Sequence, residues 1–134
     1  MAIEWTDDLA TGVNEIDNQH KELFQRINNL LDACSHGKGK IEVKKVLSFL
    51  EDYVITHFSE EEKYMAKYDY PDGLSHKKQH SEFMENFSSI KKQFEADGPG
   101  VHIVIMTNRL IVDWLKNHIR KVDRALGSFL RTKI

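Results

Sequence analysis

HFSEEEKYMAKYDYPDGLSHKKQH, residues 57–80, puts three histidines and a glutamate on the inward faces of two amphipathic helices and joins those helices by one tight turn. The turn is Tyr70, Pro71, Asp72 and Gly73, where proline and glycine both interrupt a helical pattern. Upstream of it the apolar positions run Val43, Leu47, Leu50, Val54, His57, Glu61, and downstream they run His76, His80, Phe83, Phe87, Ile90, Phe94. Each series steps by four and three, which keeps its side chains on one face of a helix. Imidazoles and a carboxylate are therefore aimed at a core, where unpaired polar groups are costly.

The same pattern extends in both directions. A first helix from about residue 17 to 33 carries Ile16, His20, Leu23, Ile27, Leu30 and Cys34 on its stripe and stops at Ser35, His36, Gly37, where glycine can take the left-handed cap. The second helix covers about 41–68 and the third about 74–96, ending at Asp97, Gly98, Pro99, Gly100. A fourth covers about 102–120, with a short further turn over about 124–130. Connections this short make successive helices antiparallel. The expected fold is all-α, an up-down-up-down four-helix bundle in one domain, with residues 1–15 as an extended arm and 16–134 as the bundle. In that topology His20, His57, Glu61, His76, His80 and His118 all fall at one pole, although they are spread over about a hundred residues. His36 and His102 fall elsewhere and are expected to be solvated, as are Glu60 and Glu62, the neighbours of Glu61.

Composition narrows the function further. The chain has 134 residues, 40% hydrophobic and 30% charged, enough for one domain with its own core. A net charge of -2 with interleaved acids and bases offers no field for nucleic acid. The first twenty residues hold Glu4, Asp7, Asp8, Glu15 and Asp17 and no long apolar run, so neither a signal peptide nor membrane insertion is expected and the cytoplasm is the expected location. Cys34 is the single cysteine and reads as a small buried hydrophobe.

Five imidazoles with carboxylates and no thiolate suit iron, and zinc, copper or manganese less well. Seven ligands are too many for one ion, so a pair with bridging carboxylates is expected. Asp123 is the second carboxylate of the set, yet it follows His118 by five residues, which points it off the stripe of an ideal helix. Either the fourth helix is distorted there or the chain is already leaving it.

These residues resemble the hemerythrins, in particular the single-domain bacterial members. The likeness lies in His20 within IDNQHKELF, His57 and Glu61 within HFSEE, His76 and His80 within HKKQH, and His118 and Asp123 within WLKNHIRKVD, and the opening EWTDDLATGVNEID is similar to the family's amino-terminal arm. The resemblance implies a non-heme di-iron centre in which His76, His80 and His118 hold one iron, His20 and His57 the other, and Glu61 and Asp123 bridge both. With one shared oxo or hydroxo oxygen, these ligands fill all but one place around two octahedral irons, and the open place is on the iron with two histidines. It further implies reversible dioxygen binding there, in an apolar pocket of Leu23, Phe58, Trp114, Leu115 and Ile119.

The expected role is oxygen storage, transport or delivery to an oxygen-consuming partner of unknown identity, and not an enzyme. Di-iron bundles that activate oxygen use carboxylate-rich sets, and here imidazoles dominate. An oxygen or redox sensor, and a di-iron oxidase or peroxidase, are the competing readings. A purely structural metal site would leave the protein colourless and indifferent to oxygen. For any one histidine alone, a hydrogen-bonded core role is the ordinary explanation; their common layer is what argues otherwise.

Overall fold

The computed structural model describes residues 3–134, so the first two residues of the expected arm lie outside it. Three long helices, α1 (Asn14–Ser35), α2 (Lys40–Lys67) and α3 (Gly73–Asp97), are followed by a fourth rod over residues 101–131, and the described residues contain no strand. α1 packs on α2 and on the fourth rod, and α3 packs on α2 and on the fourth rod, which closes the four-helix bundle. Every position of the three inward stripes is buried.

Left-handed residues end the long helices. Gly37 (φ 67°) lets the Lys38 N–H return to the Ala33 carbonyl at 3.0 Å, and Gly98 (φ 75°) ends α3. At the end of α2 this role falls to Asp69 (φ 50°), so that the Tyr70 N–H reaches the Met65 carbonyl at 3.0 Å. Aspartate tolerates that conformation better than most side chains.

Two expectations change. The fourth helix does not stop near residue 120. It runs on as α4 (Val101–Thr107), α5 (Asp113–His118) and α6 (Arg124–Arg131), joined without a break by wider π-helical turns at Asn108–Val112 and Ile119–Asp123. The Arg124 N–H accordingly bonds to the Ile119 carbonyl, five residues back. Second, α1 begins at Asn14, and the arm before it is part of the core: Ile3 and Leu9 are buried. Asn28 clamps Ile3 at both its N–H (2.8 Å) and its carbonyl (2.9 Å), and Lys21 lies over the Trp5 ring at 4.5 Å. The arm thus runs along α1, and residues beside Asn28 at helical spacing, Phe24 and Leu31, are buried as well.

The apolar interior comes in two parts. A large cluster holds Leu23, Ile27, Phe83, Phe87, Phe94 and Leu115, and a smaller one holds Val13, Ile16, Met65, Leu126 and Leu130 with Tyr64, Tyr68, Tyr70 and Phe129 around it. Burying each large side chain contributes about 1.5–3 kcal/mol. Along α1 the order is Ile16, His20, Leu23, and along the fourth rod Ile119, Asp123, Leu126, so a polar layer separates the two clusters.

Candidate metal centre

His20, His57, Glu61, His76, His80, His118 and Asp123 all meet in that layer, each at most 3% exposed. Their ligand atoms form two groups, His20 and His57 with Glu61 and Asp123, and His76, His80 and His118 with the same two carboxylates; within each group the atoms lie within 4.8 Å of one another. The carboxylates divide their oxygens between the groups. Glu61 Oε2 faces His57 Nε2 (3.4 Å) and His20 Nε2 (3.7 Å), while Oε1 faces His80 Nε2 (3.1 Å) and His76 Nε2 (3.4 Å). Asp123 Oδ2 faces His20 Nε2 (3.0 Å), and Oδ1 faces His76 (3.0 Å) and His118 (3.1 Å).

The spacing of His118 and Asp123 is explained by the backbone. A π-helical turn takes up one residue more than an α-helical turn, so positions five apart share a face where four would otherwise do so. The turn at Ile119–Asp123 therefore returns Asp123 to the face of His118. Of the two alternatives the sequence left open, local distortion is the one realised.

A cation suits this layer. Among the described residues, the Nε2 atoms of His20, His57, His76 and His118, Glu61 Oε2 and both Asp123 oxygens are buried with only one another for near neighbours and no formed hydrogen bond. Each such group costs about 1–3 kcal/mol if left so. Borderline nitrogen donors and hard oxygens, all directed at one small volume, match a divalent first-row metal pair.

Without metal the layer holds protons. Burial acts to lower His20 and His76, but the Asp123 and Glu61 carboxylates at 3.0–3.7 Å outweigh it, and both rings rise from 6.5 to about 9. Burial prevails at His57, which falls to about 4 despite Glu61. Glu61 and Asp123 stay well below the ordinary carboxylate range: burial opposes this, and the surrounding histidines overcome it.

Three outer contacts escape a reading by stripes. Gln19 Oε1 lies 2.7 Å from His57 Nδ1, Gln79 Oε1 lies 2.8 Å from His118 Nδ1, and Glu62 Oε2 lies 3.0 Å from His80 Nδ1. Glu62, expected to be a free surface charge, is 33% exposed and committed to a histidine. Glu60 meets only Lys63, at 3.4 Å. A signal for the two glutamines exists: both occur in a Gln-His pair, Gln19-His20 and Gln79-His80, and each reaches the histidine of the next rod, 38 or 39 residues on.

Of the expected pocket residues, Leu23, Leu115 and Ile119 are completely buried and Phe58 nearly so. Phe58 stacks on His80 (3.8 Å between centroids) and also meets His57 (5.8 Å), while Trp114, partly buried, stacks on His118 (4.6 Å). Phe83 bridges Phe58 (5.4 Å) and Trp114 (5.0 Å), which makes an aromatic ceiling over the three-histidine side. His36 is exposed as expected, but His102 is part-buried, with Nε2 at 3.0 Å from the Gly98 carbonyl. Both stand apart from the layer. Cys34 is buried, and burial pushes its thiol up, in keeping with a core role.

Known proteins place this architecture. The family described as hemerythrin HHE cation binding domain matches residues 11–130. A bacteriohemerythrin of Methylococcus capsulatus is 38% identical over 127 residues, covering 94% of this chain and 95% of its own. One from Pseudomonas aeruginosa is 39% identical, covering 95% of this chain and 80% of its own. Among solved structures, a crystal structure of wild-type hemerythrin superposes with a TM-score of 0.83 at 34% identity, covering 96% of this chain and 97% of that one.

Proposed function

The chain belongs to the hemerythrin family, and from that premise we propose that its polar layer holds two non-heme iron ions and binds dioxygen reversibly, for storage, transport or delivery. His76, His80 and His118 hold one iron, His20 and His57 the other, and Glu61 and Asp123 bridge them. One observation carries this reading: each carboxylate turns one oxygen to each histidine group. When bound, two ferrous ions supply the two electrons that dioxygen takes up on binding and gives back on release.

The remaining residues favour carriage over turnover. Leu23, Leu115 and Ile119 exclude water from above the layer, and Phe58, Phe83 and Trp114 cover the histidine rings. Asp17, the other buried carboxylate among the described residues, accepts bonds from the Thr11 N–H and hydroxyl, both at 2.8 Å, and so is engaged away from the layer. A site that splits the oxygen–oxygen bond needs a proton donor at hand. No described helix is long and apolar enough to cross a membrane.

The deciding experiment is anaerobic reduction followed by air, with iron counted per chain and the visible spectrum recorded. Two irons and a colour that leaves under vacuum and returns with air are the expected result. A colourless protein, or one that consumes oxygen steadily with added reductant, overturns it. Leu23→Asn, which brings a hydrogen-bonding group into the dry lining, is expected to shorten the lifetime of the oxygenated form about ten-fold, measured as the decay of its absorption.

Metal loading should also follow the protons. His20 and His76, held at about 9, carry charge at neutral pH in the metal-free chain and must lose it to bind iron. Iron affinity is therefore expected to rise with pH up to about 9. For the metal-free bundle the sign is opposite. Raised histidines contribute stability that is complete below 6.5 and is lost as pH rises through about 9. Melting the metal-free protein at about pH 7 and about pH 9.5 should show the lower midpoint at the higher pH, a difference that iron loading abolishes.

A further inference from the structure

The five imidazoles differ in what holds their outer nitrogens. Amide oxygens, neutral dipoles, face His57 and His118; a carboxylate, a full charge, faces His80; and among the described residues Nδ1 of His20 and His76 has no hydrogen-bond partner. An acceptor at Nδ1 fixes the tautomer that leaves Nε2 free for a metal, and a charged acceptor also draws the proton outward and makes the ring a stronger electron donor.

We propose that Glu62 is a positioning residue that acts through His80 to lower the reduction potential of the three-histidine iron, adding to the inequality that the three-to-two division of histidines already gives the proposed centre. The inference rests on the di-iron reading above. Its asymmetry is built from backbone placement. Glu62 is the residue after the bridging Glu61, so the helical turn of α2 that presents one carboxylate to both metals presents the next to the back of a single ligand. A groove of about 470 Å³ between α2 and α3, lined by Phe58, Ser59, Glu62, His80 and Met84, leaves Glu62 one-third exposed. Water there screens the charge, and the effect is set near the lower end of what outer-shell partners give, about ten-fold.

The test is a reductive titration of the iron-loaded protein, following the mixed-valence state by electron paramagnetic resonance. Glu62→Gln keeps an oxygen acceptor and removes the charge, which gives His80 the kind of partner His57 already has. Its expected result is about a ten-fold shift of one of the two one-electron steps toward the reduced state, equal to 59 mV, with the other step unmoved. Gln79→Glu, which adds charge behind His118 on the same iron, should move that step the opposite way, and Gln19→Glu should move the other step. A second measurement avoids iron redox altogether: in the zinc-loaded protein the His80 Nδ1 proton should resonate furthest downfield of the ligand imidazoles and move upfield in Glu62→Gln. Wild-type protein with two irons, combined with potentials that Glu62→Gln leaves unchanged or shifts equally, overturns this inference and leaves the di-iron reading intact. Wild-type protein that retains no iron overturns both.

Discussion

Glu61→Ala is expected to lower iron from the proposed two ions per chain to less than one, while Glu60→Ala, one residue away, is expected to leave occupancy at the wild-type level; metal analysis of both variants after identical loading is the measurement. Glu61 is fully buried and sits against four histidines at 3.1–3.7 Å, with one oxygen turned to each group. In the proposed di-iron centre its removal would take one ligand from each metal and half of the carboxylate charge that would offset two buried cations. Breaking a buried ion pair by removing one partner costs about 3–5 kcal/mol, a factor of about a hundred to a few thousand in affinity. Glu60 lies on the same helix, but among the described residues its carboxylate pairs with Lys63, a largely exposed pair of the kind that contributes about 0–1 kcal/mol. Glu61→Gln keeps the oxygen and loses the charge, and is expected to fall between them. Equal iron in Glu61→Ala and Glu60→Ala would remove the bridging role.

The contrast between these neighbouring glutamates marks what can be read from the chain. Counting along a single helix separates Glu61 from Glu60, because steps of three and four decide which side chain faces inward. Ile16 through Cys34, Val43 through Glu61 and His76 through Phe94 were legible on the same ground, and so was the pole at which the histidines meet. Glu62 was not. It points sideways off the stripe, and whether it meets solvent or His80 depends on how α2 is rotated against α3, which no count on α2 contains. Gln19 and Gln79 escape for the same reason, since each serves a histidine on a facing rod. Asp123 was visible only as a mismatch: five residues from His118 signals a fault in the α-helical period, and the π-helical turn that resolves it is a backbone event. Residues 1–15 could be read as an extended arm, but not that Ile3 and Leu9 enter the core, because the arm is too short and irregular for a hydrophobic period to be counted.

Gly127→Ala is expected to destabilise the protein by about 3 kcal/mol, although helix propensity predicts the reverse. Gly127 lies inside α6, where replacing glycine by alanine ordinarily stabilises a helix by about 1 kcal/mol. Here a methyl group would fall inside contact distance of the Thr11 carbonyl oxygen and 2.7 Å from its Cβ. The neighbour is backbone, so it cannot swing aside as the end of a long side chain could. Thr11 is itself buried, and its N–H and hydroxyl hold Asp17 at the start of α1, both at 2.8 Å. Displacing it adds the cost of overpacking, about 1–3 kcal/mol, to that of leaving a buried carboxylate short of donors, about 1–3 kcal/mol. Steric displacement therefore wins by a margin that reverses the sign. A calorimetric or circular-dichroism melt should show the midpoint lowered by about 10 °C. Gly39→Ala serves as the control, since no described residue lies within reach of a methyl group there, and its cost should stay under about 1 kcal/mol. Gln19 and His20 project from the first turns of α1 that Thr11 anchors, so Gly127→Ala should also weaken iron retention, but by much less than Glu61→Ala. A stabilised Gly127→Ala would mean that the arm does not pack against α6.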